Sequence, residues 1–266
     1  FNADKTKCLV FKPRSAASPV CPTFFISGKA IEYTSSWPHL GNIIDDSEDD
    51  YRCIAARRFK LIGQVNNVLS TFGKLDSVTK NALLHAFCSS LYGSVTWNMS
   101  HTEIDRVCST WRIALRRVWG LPPNAHCDIV SALGSQRVLL DDLCSRFLKF
   151  VFFCLSIRNN KRTVNFIVRN SVLICRALSP LGRNFKYIVN RYNFRADLIF
   201  YENRSSVIMS YISNFCREKF QKVCTPSFMC LMETILLRDK LLSFDPTYES
   251  LNTTDLQSII TQISTQ

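Results

Sequence analysis

The pattern of apolar positions divides the chain into a short strand-like start and a long helical remainder. Residues 7–12 and 30–34 are β-branched or aromatic runs bounded by prolines and a glycine, which is typical of short strands. From about residue 51, apolar residues recur at steps of three and four, which predicts amphipathic helices. We predict helices over about 51–72, 76–93, 100–119, 124–133, 137–158, 161–178, 204–222, 226–242 and 253–264. The predicted fold is mainly α, with a small β region at the N-terminal end.

Polar residues and prolines mark several helix ends. Asp76 is the predicted N-cap of the second helix, and Ser100–Glu103 has the pattern of a capping box that begins the third. Thr225-Pro226 is typical of an N-cap followed by a first-turn proline. Gly120, with two prolines after it, ends the third helix.

Composition narrows the class of protein. The chain has 266 residues, of which 47% are apolar, enough for a sizeable core and too many for a disordered chain. No run approaches the ~18 apolar residues that a membrane-spanning helix needs, so we expect no membrane-spanning segment. The 12 cysteines form no C-x-x-C pair and lie mostly at apolar helical positions. We expect reduced thiols in the core and an intracellular protein.

Charge is unevenly distributed along the chain. Residues 1–50 carry 5 Lys or Arg against 7 Asp or Glu, whereas the rest carries 28 against 14, a balance of +14. Residues 161–222 alone hold 12 basic and 3 acidic residues. A positive field attracts polyanions, so nucleic acid is the first candidate partner and an anionic membrane surface the second. A basic surface that only keeps the protein soluble is the remaining alternative.

The candidate metal ligands do not form a recognisable site. The acidic run 45–50 lacks a flanking apolar strand, and we expect these carboxylates to stay solvated. Cys216, Cys224 and Cys230 are separated by seven and five residues with no histidine nearby, unlike the paired spacing of zinc ligands. We therefore predict no metal and no cofactor in this chain.

Four segments carry a family resemblance. They are Asn2-Ala-Asp-Lys5-Thr6-Lys7 before a strand, Pro38-His39-Leu40-Gly41, Phe87-Cys-Ser-Ser-Leu-Tyr-Gly-Ser-Val-Thr-Trp97 and Trp111-Arg-Ile-Ala-Leu-Arg-Arg-Val-Trp-Gly-Leu-Pro122. In order and spacing they resemble the end of the palm and the thumb of the reverse transcriptases of non-LTR (LINE-type) retrotransposons. The resemblance continues through Ala55–Phe72, His126, Arg146-Phe147, Phe150 and Ser156, and covers about residues 1–160.

The resemblance implies a domain organisation and a function. Residues 1–50 would be the end of the palm, with a hairpin of the primer-grip kind, 51–122 a helical thumb, and 123–266 a basic helical extension. The chain would be a fragment of an RNA-directed DNA polymerase, acting in the nucleus and cytoplasm. It would position the element's RNA and the primer DNA beside the upstream palm and fingers of the same polypeptide.

The resemblance also implies that this chain alone is inactive. The catalytic Tyr/Phe-x-Asp-Asp turn of the family would lie upstream of Phe1, together with the carboxylates that hold two Mg²⁺ ions in the parent enzyme. Lys5 would be an auxiliary catalytic residue that stabilises the leaving pyrophosphate, or else an exposed lysine at a strand edge. His39, Leu40 and Gly41 would press on the primer near its 3′ end, or else form an ordinary turn.

Three basic groups are candidate phosphate contacts, since cations one helical turn apart can engage successive phosphates. They are Arg57, Arg58 and Lys60; Arg112, Arg116 and Arg117; and Arg183, Lys186, Arg191 and Arg195. The third group alternates with four aromatic residues, which favours single-stranded RNA through base stacking. The first two groups are also explained by cations on a solvated helix face. The third is also explained by aromatic residues of the core that are bordered by a solvated basic rim.

Two other classes of function stay open. One is a non-catalytic nucleic-acid-binding or protein-scaffolding domain derived from such an element. The other is a helical interaction domain whose basic surface binds acidic proteins.

Overall fold

The chain is mainly helical, as the sequence predicts. The computed structural model describes residues 2–11, 20–47, 49–133, 138–156, 162–173, 179–200, 204–223, 228–230, 232–233, 235–237 and 239. Within these residues the strands all precede residue 46. The predicted helix at 253–264 and the predicted cap at Thr225-Pro226 lie outside the described residues.

The strands form three separate two-stranded pairs. In chain order they are β1 (Lys7–Cys8), β2 (Phe25–Ile26), β3 (Lys29–Ala30), β4 (Glu32–Tyr33), β5 (Ser36–His39) and β6 (Asn42–Asp45). The pair β1–β4 is parallel, whereas β2–β3 and β5–β6 are antiparallel. Of the predicted strand segments 7–12 and 30–34, the described residues that pair in strands are Lys7–Cys8, Ala30 and Glu32–Tyr33.

The β5–β6 hairpin is where the sequence predicts a turn. His39 lies opposite Asn42, which leaves Leu40 and Gly41 as the two turn residues. Both have positive φ, 48° and 79°, as the type I′ turn of a two-residue β-hairpin requires. Glycine adopts this conformation freely, but a branched residue such as Leu40 does not.

The helices agree with the predicted periodicity over most of the chain. They are α1 (Tyr51–Thr71), α2 (Ser77–Cys88), α3 (Thr102–Val118), α4 (Cys127–Leu133), α5 (Leu139–Ser156), α6 (Arg162–Leu173), α7 (Pro180–Tyr192) and α8 (Arg204–Val223). Further helical residues occur between 228 and 239. The Asp76 cap is confirmed, since its carboxylate accepts the backbone N–H of Thr79 at 2.8 Å.

Three details of the helix prediction are wrong. α2 ends at Cys88 rather than 93, because Leu91 and Gly93 take positive φ. The N-cap of α3 is His101, whose Nδ1 accepts the Glu103 N–H at 3.0 Å, and not Ser100. α7 was not predicted, although Ser179 caps it at the Gly182 N–H and is followed by a first-turn proline.

The core lies around α3 and α5. α3 packs against α1, α2, α4 and α5, and α5 packs in turn against α6 and α8. Trp97, Trp111 and Trp119 are buried in this core. Cys53, Cys88, Cys108, Cys144 and Cys154 are buried thiols that form no disulfide. None of the helices in the described ranges combines the length and the apolarity needed to cross a membrane.

Candidate nucleic-acid interface

Two of the segments that carry the family resemblance meet at the hairpin turn. The Arg57 guanidinium of α1 donates a hydrogen bond to the Gly41 carbonyl and lies over the ring of Tyr92, 5.5 Å from its centre. Gly93 has a φ of +85°, and a Cβ there would overlap the side chain of Asn42 in β6. The 39–41 turn, α1 and the Tyr92-Gly93 pair therefore form one packed junction.

The outer side of this junction is open to solvent. His39 and Gly41 are exposed, and Leu40 is 75% exposed at the tip of the turn. Lys60 is exposed one turn beyond Arg57 on α1, and no described residue forms a hydrogen bond or ion pair with it. We call the set His39, Leu40, Gly41, Arg57, Lys60 and Tyr92 the hairpin–α1 surface.

Arg58 faces away from this surface, toward α3. Its Nε lies 4.0 Å from a carboxylate oxygen of Glu103, which is 1% exposed and is also bound by Arg106. A buried carboxylate needs a nearby cation, because burial of an unpaired charge is costly. The structure therefore gives Arg58 a partner inside the protein, which leaves it less available to a phosphate than Arg57 or Lys60.

The acidic run before α1 is not simply solvated. Asp49 lies 3.1 Å from Nε2 of His101, and the Asp50 carboxylate accepts the Asn98 N–H at 2.6 Å. Burial raises the pKa of Asp50 above its ordinary value. These two carboxylates attach the start of α1 to the loop before α3, and Glu48 lies outside the described residues.

Lys5 lies at the end of a short 3-10 turn, Ala3–Lys5, and is exposed. The described residues include no contact between Lys5 and the 39–41 turn. Two residues later, Lys7 pairs with Glu32 and lies 5.7 Å from the ring centre of Trp37 in β5. The structure thus attaches the N-terminal segment to the hairpin through Lys7, and an auxiliary catalytic role for Lys5 stays a prediction.

The three arginines of α3 have different environments. Arg116 donates from Nε and Nη2 to the Ala125 carbonyl, at 3.0 and 2.7 Å, and so holds the loop after α3. Arg112 is half-buried and donates to the Ser109 hydroxyl at 2.8 Å. Arg117 is exposed and donates to the Asn66 side chain at 2.8 Å. Of the three, Arg117 is the most accessible to a phosphate.

The basic and aromatic residues of 183–195 separate into a core and a rim. Phe185, Tyr192 and Phe194 are buried and Tyr187 is half-buried, so these rings belong to the core. Arg191 is paired with Asp141, and Arg195 binds Asp197 through two nitrogens, at 3.1 and 2.6 Å. Arg183 and Lys186 remain on the exposed rim. Stacking of RNA bases on the aromatic residues of α7 therefore has no geometric support.

Potential metal ligands come together at one place among the described residues. His126, Cys127 and Asp128 have ligand atoms within 4.8 Å of one another at the start of α4. Nδ1 of His126 lies 3.2 Å from an Asp128 oxygen and accepts the Asp128 N–H at 3.4 Å, so contacts between neighbours in sequence account for this proximity. Three consecutive residues supply fewer ligands than the four of a structural zinc site, and we assign no metal to them.

Sequence reasoning missed Tyr92 and Asn42 as parts of the junction. Tyr92 lies inside the Phe87–Trp97 segment of the resemblance, but its outward orientation depends on the positive φ of Leu91 and Gly93 on either side. The adjacent glycine was the available signal, since a glycine beside an aromatic residue often marks a close backbone approach. The contact of Asn42 with Gly93, by contrast, joins residues 51 positions apart, which periodicity cannot indicate.

Comparison of the chain with protein-family models, with curated proteins and with solved structures found no match.

Proposed function

We propose that this chain binds nucleic acid through the hairpin–α1 surface, as the thumb-side part of a LINE-type reverse transcriptase. In this role it positions an RNA template and a primer, while the carboxylates that carry out nucleotidyl transfer with Mg²⁺ belong to another part of the parent enzyme. The nuclear and cytoplasmic location of such an element is part of the same proposal.

The observation that carries the proposal is the junction itself. The His-Leu-Gly turn and the Leu-Tyr-Gly segment are 50 residues apart in sequence, and both belong to the resemblance. Arg57 bridges them, with a hydrogen bond to Gly41 and a cation–π contact to Tyr92. A turn held this firmly on a helix can press on a nucleic-acid strand, which a freely moving turn cannot do.

Local charge supports a polyanionic ligand. Residues 51–102 contain six Lys or Arg residues and one acidic residue, Asp76. The Asp76 carboxylate caps α2 through the N–H and the hydroxyl of Thr79, so it is occupied within the protein. The carboxylates of residues 45–50, between the hairpin and α1, offset part of this excess. The positive charge beside the turn therefore comes from Arg57 and Lys60, which attract phosphate groups over distances comparable with the Debye length.

One observation favours a protein-scaffolding role as the second candidate. Phe153 of α5 and Phe166 and Ile167 of α6 are large apolar side chains that are more than half exposed. Exposed apolar groups on packed helices are common at sites of protein association. These residues are far along the chain from the hairpin–α1 surface, so the two functions are separable by substitution.

The proposal is tested by fluorescence anisotropy with a labelled DNA primer annealed to a longer RNA template, over a range of salt concentrations. Binding should weaken with salt, and Lys60→Gln should flatten the log–log slope by about 0.7 to 0.9, the share of one phosphate contact. Lys219→Gln is the matched control, because it removes an equal charge from the exposed side of α8. Wild-type protein that fails to bind at low salt would rule out the proposed function.

A further inference from the structure

Two segments that contact α1 carry exposed aromatic rings. Tyr92 is 57% exposed and Phe87 is 59% exposed, although aromatic side chains gain most from burial. Arg57 is stacked over Tyr92, and Nε2 of Gln64 donates to the Phe87 carbonyl at 3.1 Å.

Helix geometry gives the arrangement its spacing. Arg57 and Gln64 are seven residues apart, which is two turns or about 10.5 Å along the axis. Lys60 is at the intermediate position on the same face, since i, i+3 and i+7 share one side of a helix. Arg57 and Lys60 therefore lie on the same side of α1 as Gln64, which bonds the backbone of Phe87.

The backbone holds Tyr92 outward. Leu91, immediately before it, is buried with a φ of +34°, a conformation that is costly for a branched residue. Gly93, immediately after it, has a φ of +85° and fits against Asn42 only because it lacks a Cβ. Backbone strain of this kind concentrates at functional sites, where it fixes a side chain in place.

We infer that Tyr92 is a stacking platform for an unpaired nucleotide of a single-stranded segment, an inference that rests on the proposed function. The Arg57 guanidinium occupies one face of the ring, so an incoming base would stack on the other. Arg57 has five N–H donors, which leaves several for a phosphate after the bond to Gly41. Lys60, one turn further along the same side of α1, is placed for the next phosphate.

An aromatic platform such as the Tyr92 ring binds an unpaired strand in preference to a duplex. In a duplex each base is covered on both faces by its neighbours, so only a terminal pair could reach Tyr92. Unpaired bases can separate and stack on aromatic side chains whatever their sequence, while cations track the backbone. The occupant is therefore a single-stranded template or primer end, with little sequence preference.

The test uses the whole chain and two labelled probes, a 12-nucleotide single strand and a blunt duplex of equal length. Tyr92→Leu should weaken single-strand binding about five- to a hundredfold, the range for loss of one aromatic–base stack, with a much smaller effect on the duplex. Tyr92→Phe should bind like wild type. Phe166→Leu is the matched control, because it removes another exposed ring from α6.

If circular dichroism shows that Tyr92→Leu is misfolded, a second measurement on the wild-type protein tests the same inference. A single strand that carries 2-aminopurine should change its fluorescence on binding the wild-type protein, since stacking on a ring alters that signal. The same probe paired inside the duplex should not change.

The outcomes separate the two proposals. Wild-type protein that binds neither probe would remove the proposed function. Wild-type protein that binds both, with no loss in folded Tyr92→Leu and no change in 2-aminopurine fluorescence, would overturn the stacking inference alone. A Tyr92→Leu variant that folds and binds nucleic acid normally, but loses a purified protein partner, would assign the ring to protein association instead.

Discussion

The Arg191 guanidinium is anchored on the buried Asp141 carboxylate, with Nη2 2.8 Å and Nε 3.1 Å from the same oxygen. The Tyr192 hydroxyl donates to that oxygen at 2.6 Å, and the Cys216 thiol lies 3.4 Å from the other oxygen. The cluster joins α5, α7 and α8. A residue that sequence alone suggests for phosphate binding thus helps to hold three helices together.

We expect Asp141→Asn to lower the free energy of unfolding by about 3 kcal/mol, because it leaves a partly buried guanidinium without its counter-charge. Urea denaturation checks this. Asp142→Asn is the matched control on the same helix, since it breaks the more exposed i,i+4 pair with Arg146 and should cost less than about 1 kcal/mol. Equal losses in the two variants would show that burial of the Asp141 pair has no energetic consequence.

Gly93→Ala tests the hairpin junction. The left-handed φ alone should cost about 1–2 kcal/mol, and the overlap with Asn42 should add to it. The double variant Gly93→Ala, Asn42→Ala should recover only the overlap, because the backbone penalty remains.

Gly63→Ala is the control for that prediction. Gly63 is in the middle of α1 and has no atom within 4 Å of the Cβ position, so alanine should stabilise the helix by about 0.5–1 kcal/mol. Thermal unfolding of the three variants measures the signs directly. Destabilisation by Gly63→Ala as large as that by Gly93→Ala would contradict the structural distinction.

Two core thiols make stability sensitive to alkaline pH. Burial raises the pKa of Cys108 to about 11 and that of Cys144 to about 12, from an ordinary value of 9.0. Above pH 9 the unfolded thiols lose protons while the folded thiols keep them, so stability present at neutral pH is lost as pH rises. Each thiol should contribute a slope of about 1.4 kcal/mol per pH unit until its folded pKa is reached.

Cys144→Ala isolates one thiol. The variant should be less stable at neutral pH because of the cavity it creates, and its difference from wild type should be constant between pH 6 and 8. Above pH 9 the difference should narrow, because the variant lacks one ionising group. A difference that stays constant up to pH 11 would show that the Cys144 thiol titrates alike in both states.

Most of the helical fold could be predicted because its signal is local. α1 and α5 follow the three- and four-residue apolar steps closely, and the Asp76 cap lies one residue before α2. The predicted helices leave 179–203 unassigned, because a Ser179-Pro180 dipeptide also occurs where helices end, so α7 was missed. The same dipeptide is a helix start when Ser179 can accept the Gly182 N–H, which only the folded backbone decides.

The candidate site was predictable in part. Residues 39–41 do form the turn of a hairpin, but no local pattern distinguishes the Arg57 bond to Gly41 from the Arg58 approach to Glu103. Neighbouring arginines on one helix point 100° apart, so long-range packing determines which one faces solvent. Local sequence likewise does not distinguish the buried rings of Phe185 and Tyr192 in α7 from the exposed ring of Tyr92, because contacts with distant helices determine burial.

The salt dependence of exposed cations should show whether the strand follows the hairpin–α1 surface or the basic extension. Arg117 bonds to Asn66, which is nine residues beyond Arg57 and therefore half a turn away, on the opposite side of α1. Lys186 is on the exposed side of α7. We expect Arg117→Gln and Lys186→Gln to leave the salt slope for a 12-nucleotide single strand unchanged, while Lys60→Gln flattens it by about 0.7. All three variants remove one exposed positive charge, so a general change in net charge would affect them equally. Flattening by Lys186→Gln with none by Lys60→Gln would assign the strand to the extension after residue 160.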